Sequence, residues 1–431
     1  MWLAKYRNLS RPARDDGPAD RRDVMKRQAL KHHAVHDLAV FGGPALFAEP
    51  KSTSNLLQPS LEGYLDYCRT FYDVRLEPGR HPLVPMLERR LAEFHQVDHC
   101  VTFCSGMWAL VAAISDLALP GRDEVIMPSL TYRRLNDIGA WAHLKPHFCE
   151  VDPTSLALSV ETVRPCINGN TALILAAHPI VNCCDSAGLA AMAAARGIPI
   201  VFDSVESVYE SVAEGRIGGF GQAEAFSMHA CKLINGFGGG YVVTRDAGLA
   251  ERLRAFRDRG RDPLGAPAGA PGIDTRLNEL HAGLALASLD DVDAQVERNR
   301  ARYVAYVEGL RGLHGIRLLE FDTRHRAGFK NIVVELTEQW PLSRADTIRV
   351  LNAERILARP YYAPPLHRKA MSYPHVVADL PLTDRLAEAY MNLPCGHHVD
   401  VDDIERITDL LAFLRTHAEE IGTRLSRSQN P

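Results

Sequence analysis

No stretch of this 431-residue chain approaches the roughly 20 consecutive apolar residues that a bilayer span needs, so no membrane segment is expected. The first 33 residues, "MWLAKYRNLSRPARDDGPADRRDVMKRQALKHH", lack the continuous apolar centre of a signal peptide, so export is not indicated. They read as a disordered, mostly basic arm. Strong charge of one sign is also missing. The formal net charge is −4, and no basic stripe interleaved with aromatics follows the arm, so a nucleic-acid partner is not expected. The nine cysteines are odd in number, scattered and without CxxC pairs. That argues against a disulfide framework and for a reducing, cytoplasmic setting. Cys183 and Cys184 are adjacent, which suits small buried residues better than a redox pair. His143, His147 and Cys149 have a spacing that could hold a metal on a helix, but "KPHFCEVD" reads as a strand, so no metal is expected.

What the chain does have is 46% hydrophobic and 24% charged residues over a length that favours two domains. Between about residues 98 and 245, short β-rich runs alternate with helical patterns. "HCVTFCS" leads into "GMWALVAAISDLAL", "DEVIMPS" into "RRLNDIGAWAHL", and "TALILAAH" into "SAGLAAMAAARG"; "IPIVFDS", "AEAFSMH" and "GGYVVT" follow. Such alternation predicts an α/β fold with a mostly parallel sheet covered on both faces. From about 276, Leu277, Leu280 and Leu284 mark a helix, and Val292, Val296, Tyr303 and Val307 continue the stripe. The remainder, with "GIRLLEF", "KNIVVEL" and a final helix whose core face is Ile404, Ile407, Leu411 and Leu414, reads as a smaller α+β unit. The expected divisions are an arm over 1–37, a large domain over 38–297, a small one over 298–420 and a flexible tail over 421–431.

Ligands of open α/β sheets sit at the carboxyl ends of strands. That rule selects three stretches. In "HCVTFCSGMWAL", Ser105 and Gly106 open a helix, where free N–H groups suit an anion, although Ser105 also fits a plain N-cap. "IPIVFDSVES" ends an apolar run in Asp203, which is either a turn former or an acid that holds a proton on a ligand nitrogen. "AFSMHACKLINGFGGGYVVT" places Lys232 between an apolar run and crowded glycines. A desolvated lysine there would become nucleophilic toward carbonyls. With the aromatic Tyr132 of "PSLTY", these stretches form the set of partners that pyridoxal phosphate requires: phosphate, ring nitrogen, ring face and aldehyde.

At these residues the chain resembles the DegT/StrS family of pyridoxal-phosphate aminotransferases, over about residues 38 to 418. "SGMWAL" is similar to the family's SGTxAL, "DEVIMPSLTY" to DEVIxPSxTF, "VFDS" to xEDA and "FSMHACK" to SFxxxK. "RPYYAPPLH" is similar to xxYYPPLH, and "DTRLNELHAGLALASLDDVD" to NYRMSELQAALGLAQLExLD. The "LAVFGGPALF" entry is similar to the branch that makes aminocyclitols and related antibiotic precursors. The resemblance implies the type I aminotransferase fold, with a mostly parallel seven-stranded sheet between helices and a smaller C-terminal α+β domain. It implies transfer of an amino group from an amino acid to a keto-sugar, cyclitol ketone or related acceptor, by a homodimer with shared sites.

Residue by residue, the resemblance implies that Lys232 forms the Schiff base with the cofactor and that Asp203 pairs with its pyridine nitrogen. Tyr132 would stack on the ring, while Ser105, Gly106, Met107 and Ser227 would hold the phosphate. Tyr362, His367 and His178 are substrate candidates. Four departures stand out. Asp274 replaces an asparagine that reaches the partner's cofactor phosphate, where a carboxylate would repel. Glu206 replaces a glutamine, which adds negative charge near the ring hydroxyl or the substrate. Arg133 and Arg134 replace small residues and could clamp a substrate carboxylate or be plain surface residues. Gly238 replaces a glutamate, so the loop after Lys232 is expected to be reshaped. These departures leave open elimination, replacement or carbon–carbon bond chemistry on an amino acid. A cofactor-binding regulator with the arm as its partner-binding element is a third reading.

Overall fold

Seven consecutive residues of the strand Thr171–Ala177 are buried, as a strand covered on both faces requires. The computed structural model describes residues 34–54, 59–72, 82–262 and 265–429. Residues 1–33 of the expected 1–37 arm lie outside the described residues, and Val35, placed in that arm by the sequence, is core.

Two helices come first, α1 Leu61–Tyr72 and α2 Leu83–His95. Strands and helices then alternate: β1 His99–Phe103, α3 Gly106–Leu117, β2 Glu124–Pro128, α4 Leu135–Trp141, β3 Lys145–Cys149, β4 Thr171–Ala177, α5 Ser186–Ala194 and β5 Ile200–Asp203. The strands β6 Ala223–Ser227 and β7 Gly240–Thr244 complete the set. The seven form one sheet in the order β1-β7-β6-β5-β4-β2-β3. Only β7 runs antiparallel to its neighbours. The expected α/β architecture with a mostly parallel seven-stranded sheet is therefore the one observed. In-register pairing of Ala177 with Asp203, and of Asp203 with Ala225, brings the carboxyl ends of β4, β5 and β6 to one edge.

Beyond α6 Ala247–Arg257, the helices α7 Glu279–Asp290 and α8 Val292–Gly309 lead to a second sheet. It contains β8 Ile316–Leu318, β9 Ile332–Leu336, β10 Arg359–Pro360 and β11 Tyr390–Leu393, all antiparallel, in the order β8-β9-β11-β10. Helices α9 Arg344–Ala353, α10 Pro381–Ala389, α11 Val401–Thr416 and α12 Ala418–Gln429 complete the chain. Ile404, Ile407, Leu411 and Leu414 of α11 are fully buried.

Three expected boundaries shift. The division at 297/298 falls inside α8, because its apolar stripe of Val292, Val296 and Tyr303 is packed without a break. Residues 38–54, assigned to the large domain, sit against the second unit. Lys51 and Ser52 pair with Ile356 and Leu357, and the Glu354 carboxylate accepts the backbone N–H groups of Ala39 and Leu46 at 2.6 and 2.7 Å. The tail expected to be flexible from 421 belongs to α12, whose Ile421 and Leu425 are buried. Leu277 precedes the Asn278 cap of α7 and Leu280 is exposed, so the helix starts later than its leucine spacing indicates.

Candidate active site

Asp203 closes β5, and burial pushes its carboxyl up to about 6. One of its oxygens accepts the N–H of Val205 at 3.3 Å. Three residues on, Glu206 receives the Lys232 Nζ on one oxygen and the Lys330 Nζ on the other. The Asn331 amide adds a 3.3 Å contact to the second oxygen. Burial alone would raise the Glu206 carboxyl, but the two ammonium groups hold it down at about 2. Burial also works against the Lys232 ammonium, and Glu206 outweighs it, so this lysine stays above its ordinary value. Lys232 is thus a charged, nearly dry amine held beside Asp203, at the edge where the strands end.

The turn around Lys232 is tight. Its N–H donates to the His229 carbonyl at 2.8 Å, and the Gly236 N–H returns to the Met228 carbonyl at 2.9 Å. Where the sequence has Gly238, a Cβ would lie 2.9 Å from the His281 ring, so the imidazole of α7 takes up that room.

Beside it is a backbone cradle. Ser105 caps α3 by accepting the Trp108 N–H at 3.3 Å. A Cβ on Gly106 would lie 2.9 Å from the Ser227 Cβ, and one on Gly240 would collide with the Gly106 backbone. Glycine at both positions lets the β1–α3 turn lie directly on β6 and β7, which leaves the first N–H groups of α3 beside the Ser227 hydroxyl. Met107, the second residue of α3, is half-buried against the core beneath.

His178 follows β4 and stacks on Phe202. Its Nδ1 accepts the Cys184 N–H at 3.3 Å, while its buried Nε2 has no hydrogen-bond partner. Burial lowers its pKa to about 3, so the ring is neutral. Tyr132 is 45% exposed. Tyr362 is held at a φ of 45°, an uncommon conformation for a tyrosine, and feels the charges of both Glu206 and Asp203.

Other candidates are engaged elsewhere. The Arg134 side chain is paired with Asp137 at 3.2 Å, and the Arg133 backbone carbonyl accepts from Lys369. His367 bridges Ser129 at 2.7 Å and Asp384 at 3.2 Å, tying β2 to α10. Asp274 is gripped by Arg276 and Arg259, which hold its carboxyl well below the usual range. Asp258 stands 3.9 Å from Arg276 as a second carboxylate, so two guanidiniums face two carboxylates here.

Lys330, Asn331 and Arg259 were not singled out from the sequence. A lysine ahead of the apolar run "IVVEL" is the only mark of Lys330, and lysine in that position usually signals a strand end in solvent.

The residues present fit pyridoxal phosphate. The cradle suits a phosphate, Asp203 suits a ring nitrogen, Lys232 suits an aldehyde, and His178 Nε2 has a free place for a polar group at the same edge. A lysine and an acid at the strand ends of this sheet, beside a glycine cradle, define an enzyme of the type I pyridoxal-phosphate fold. The model of the DegT/DnrJ/EryC1/StrS aminotransferase family matches residues 79–412, and the chain belongs to that family: it is a pyridoxal-phosphate-dependent aminotransferase. It is 31% identical to the dTDP-3-amino-3,4,6-trideoxy-alpha-D-glucose transaminase of Streptomyces venezuelae, over 78% of this chain and 88% of that protein. The L-glutamine:2-deoxy-scyllo-inosose aminotransferase of Micromonospora echinospora is 33% identical over 52% of this chain and 57% of its own length. Among solved structures, DesI in the presence of its TDP-sugar product superimposes with a TM-score of 0.83 at 32% identity, covering 91% of this chain and all of that one.

Proposed function

We propose that this aminotransferase moves an amino group from an amino acid to the ketone of a sugar or cyclitol in a biosynthetic pathway. The observation that carries this reading is the Lys232 amine beside the buried Asp203, at strand ends that face a phosphate-sized cradle. The names of the relatives, one acting on a nucleotide-linked sugar and one on a cyclitol ketone, support the acceptor class.

In this reading Lys232 would hold the cofactor through its Nζ, Asp203 would keep the ring nitrogen protonated, and Tyr132 would cover one ring face. Ser105, Gly106, Met107 and Ser227 would hold the phosphate. When bound, the cofactor supplies the electron sink that makes the donor's α-hydrogen acidic. Lys232 Nζ, freed when the donor takes its place, carries that proton as base and then as acid. Glu206 orients the amine, and Lys330 keeps the Glu206 charge balanced whenever Lys232 leaves it.

A homodimer in the cytoplasm belongs to the same proposal. Tyr132, Phe237, Ile273 and Leu280 are large, exposed and carried by segments that frame the site, as a covering partner would require. In the family resemblance Asp274 would face a partner's cofactor phosphate, with Arg259 and Arg276 as its counterions. Among the described residues no helix is long and apolar enough to cross a membrane.

The test uses protein loaded with pyridoxal phosphate, an L-glutamine or L-glutamate donor, and either 2-deoxy-scyllo-inosose or a TDP-linked keto-sugar. Mass spectrometry should find one ketone converted to its amine. Neither ketone aminated, with side-chain elimination from an amino acid instead, would favour the non-transaminating chemistry.

A further inference from the structure

A second chemical cluster lies on the far edge of the large sheet. β3 is the edge strand, three strands from β5, or about 14 Å at the usual strand spacing. His147 and Cys149 are two apart on β3 and so point to one face. Cys149 is fully buried in a small apolar cluster, and Cys166, at the end of the 3-10 turn Arg164–Cys166, packs against the same cluster while half-exposed. Cys166 is tied to the same corner of the fold, because the Asn168 amide reaches the Glu124 carboxylate at 2.8 Å and the Cys166 carbonyl at 3.5 Å.

The imidazole is itself built in. Its Nδ1 sits 3.1 Å from the buried Glu124 carboxylate, which Asn168 and Asn170 hold with amide contacts of 2.8 and 3.4 Å. Glu124 is on β2, beside β3, and Glu150 follows β3 as the other nearby charge. Protonated, Cys166 donates to the Thr162 carbonyl at 3.7 Å; ionised, it is favoured by the Cys149 thiol and the His147 imidazole. Those donors outweigh burial and the Glu150 charge, so the thiol is lowered to about 5, while His147 is raised, first by Cys166.

We propose that Cys166 is a nucleophilic thiol site that reacts with hydroperoxides, with Cys149 as its resolving partner. The Cys166 thiolate attacks a peroxide oxygen, the O–O bond breaks, and the departing oxygen takes the His147 proton and leaves as water or an alcohol. Sulfur is oxidised to sulfenic acid and the peroxide is reduced. The Cys149 sulfur then displaces the sulfenic hydroxyl, its proton leaves with that group as water, and an S–S bond joins the two residues.

The test treats the holoenzyme with one equivalent of hydrogen peroxide at neutral pH, blocks remaining thiols and maps the peptides without reduction. A Cys149–Cys166 cross-link is expected, and in C149S a dimedone adduct on Cys166 in its place. Iodoacetamide supplies a second reading that needs no variant. Ionised thiols lose some nucleophilicity, so the rate profile discriminates better than a single rate. Cys166 should alkylate at a nearly constant rate from about pH 6 to 8, whereas the exposed Cys104 should rise about tenfold per unit. H147N should move the Cys166 profile toward that of Cys104. Parallel profiles for the two cysteines in the native enzyme, with no cross-link and no dimedone adduct, would overturn the proposal.

Discussion

Lys330 and Glu206 are joined by an ion pair between the two halves of the protein: Lys330 stands two residues ahead of β9 in the antiparallel sheet, and Glu206 three residues after β5 ends. Each is nearly buried, with side chains 8% and 12% exposed. Because the same carboxylate also holds Lys232, the second unit helps to set the charge at the reactive amine. Removing one member of a buried pair typically costs about 3–5 kcal/mol, a loss that Lys232 reduces here by remaining as a second counterion of Glu206. K330M should therefore lower the thermal midpoint clearly, and K330M combined with E206Q should lose less than the sum of the single changes. Melting curves of the four proteins in one buffer check this. Equal or additive losses would mean that the pair is not coupled.

The cradle makes a prediction about binding rather than stability. Alanine at Gly106 would press its methyl on the Ser227 Cβ and crowd the first N–H groups of α3. G106A should weaken pyridoxal phosphate at least tenfold, a loss of about 1.4 kcal/mol, and should weaken phosphate-free pyridoxal far less. Equilibrium dialysis with the two ligands separates the effects. An equal loss for both would place the phosphate elsewhere.

Buried acids give the cofactor-free protein a pH signature. Glu224 on β6 is fully buried, accepts from the Ser204 hydroxyl at 2.6 Å and the Phe220 N–H at 2.7 Å, and is pushed up to about 7 by burial. Glu210 is pushed up to about 7 in the same way. A carboxyl whose folded pKa exceeds its unfolded value binds its proton more tightly in the folded state. Its stabilisation is complete below about pH 4 and is lost as pH rises through about 7. Glu206 works in the opposite sense, but its contribution disappears only below about pH 4.5, outside that window. The buried His95 and His178, each lowered to about 3, oppose this below about pH 6.5, so the net fall is clearest from about pH 6.5 to 8, and relative to the native protein E224Q should flatten the profile over pH 5 to 8 by up to about 3 kcal/mol. Urea midpoints across this range measure it; an unchanged slope in E224Q would show that Glu224 does not titrate there.

Lys232, Asp203 and the Ser105–Gly106 turn could be read from the sequence because each sits where a strand pattern stops, and strand ends are where this fold class binds. Lys330 could not, because its partner lies 124 residues away and only the tertiary fold brings the segment ahead of β9 to the loop after β5. Asp274 was legible as a departure but not as a cluster: its arginine at 276 is adjacent, while Arg259 arrives through the turn after α6. His367 shows the converse limit. Its motif points to substrate, while its Nδ1 is hydrogen-bonded to Ser129 and its Nε2 faces the Asp384 carboxylate at 3.2 Å. The N-terminal segment 38–54 was assigned by continuity along the chain, yet the unsatisfied N–H groups of its turns find the buried Glu354 carboxylate instead.

The most direct test of the account is to load the enzyme with pyridoxal phosphate, reduce it with borohydride and map the modified peptide. The phosphopyridoxyl group should be found on Lys232 alone, and K232A should retain none. Labelling of Lys330 or any other lysine in place of Lys232 would contradict the assignment of the reactive amine and the reading of the site built around it.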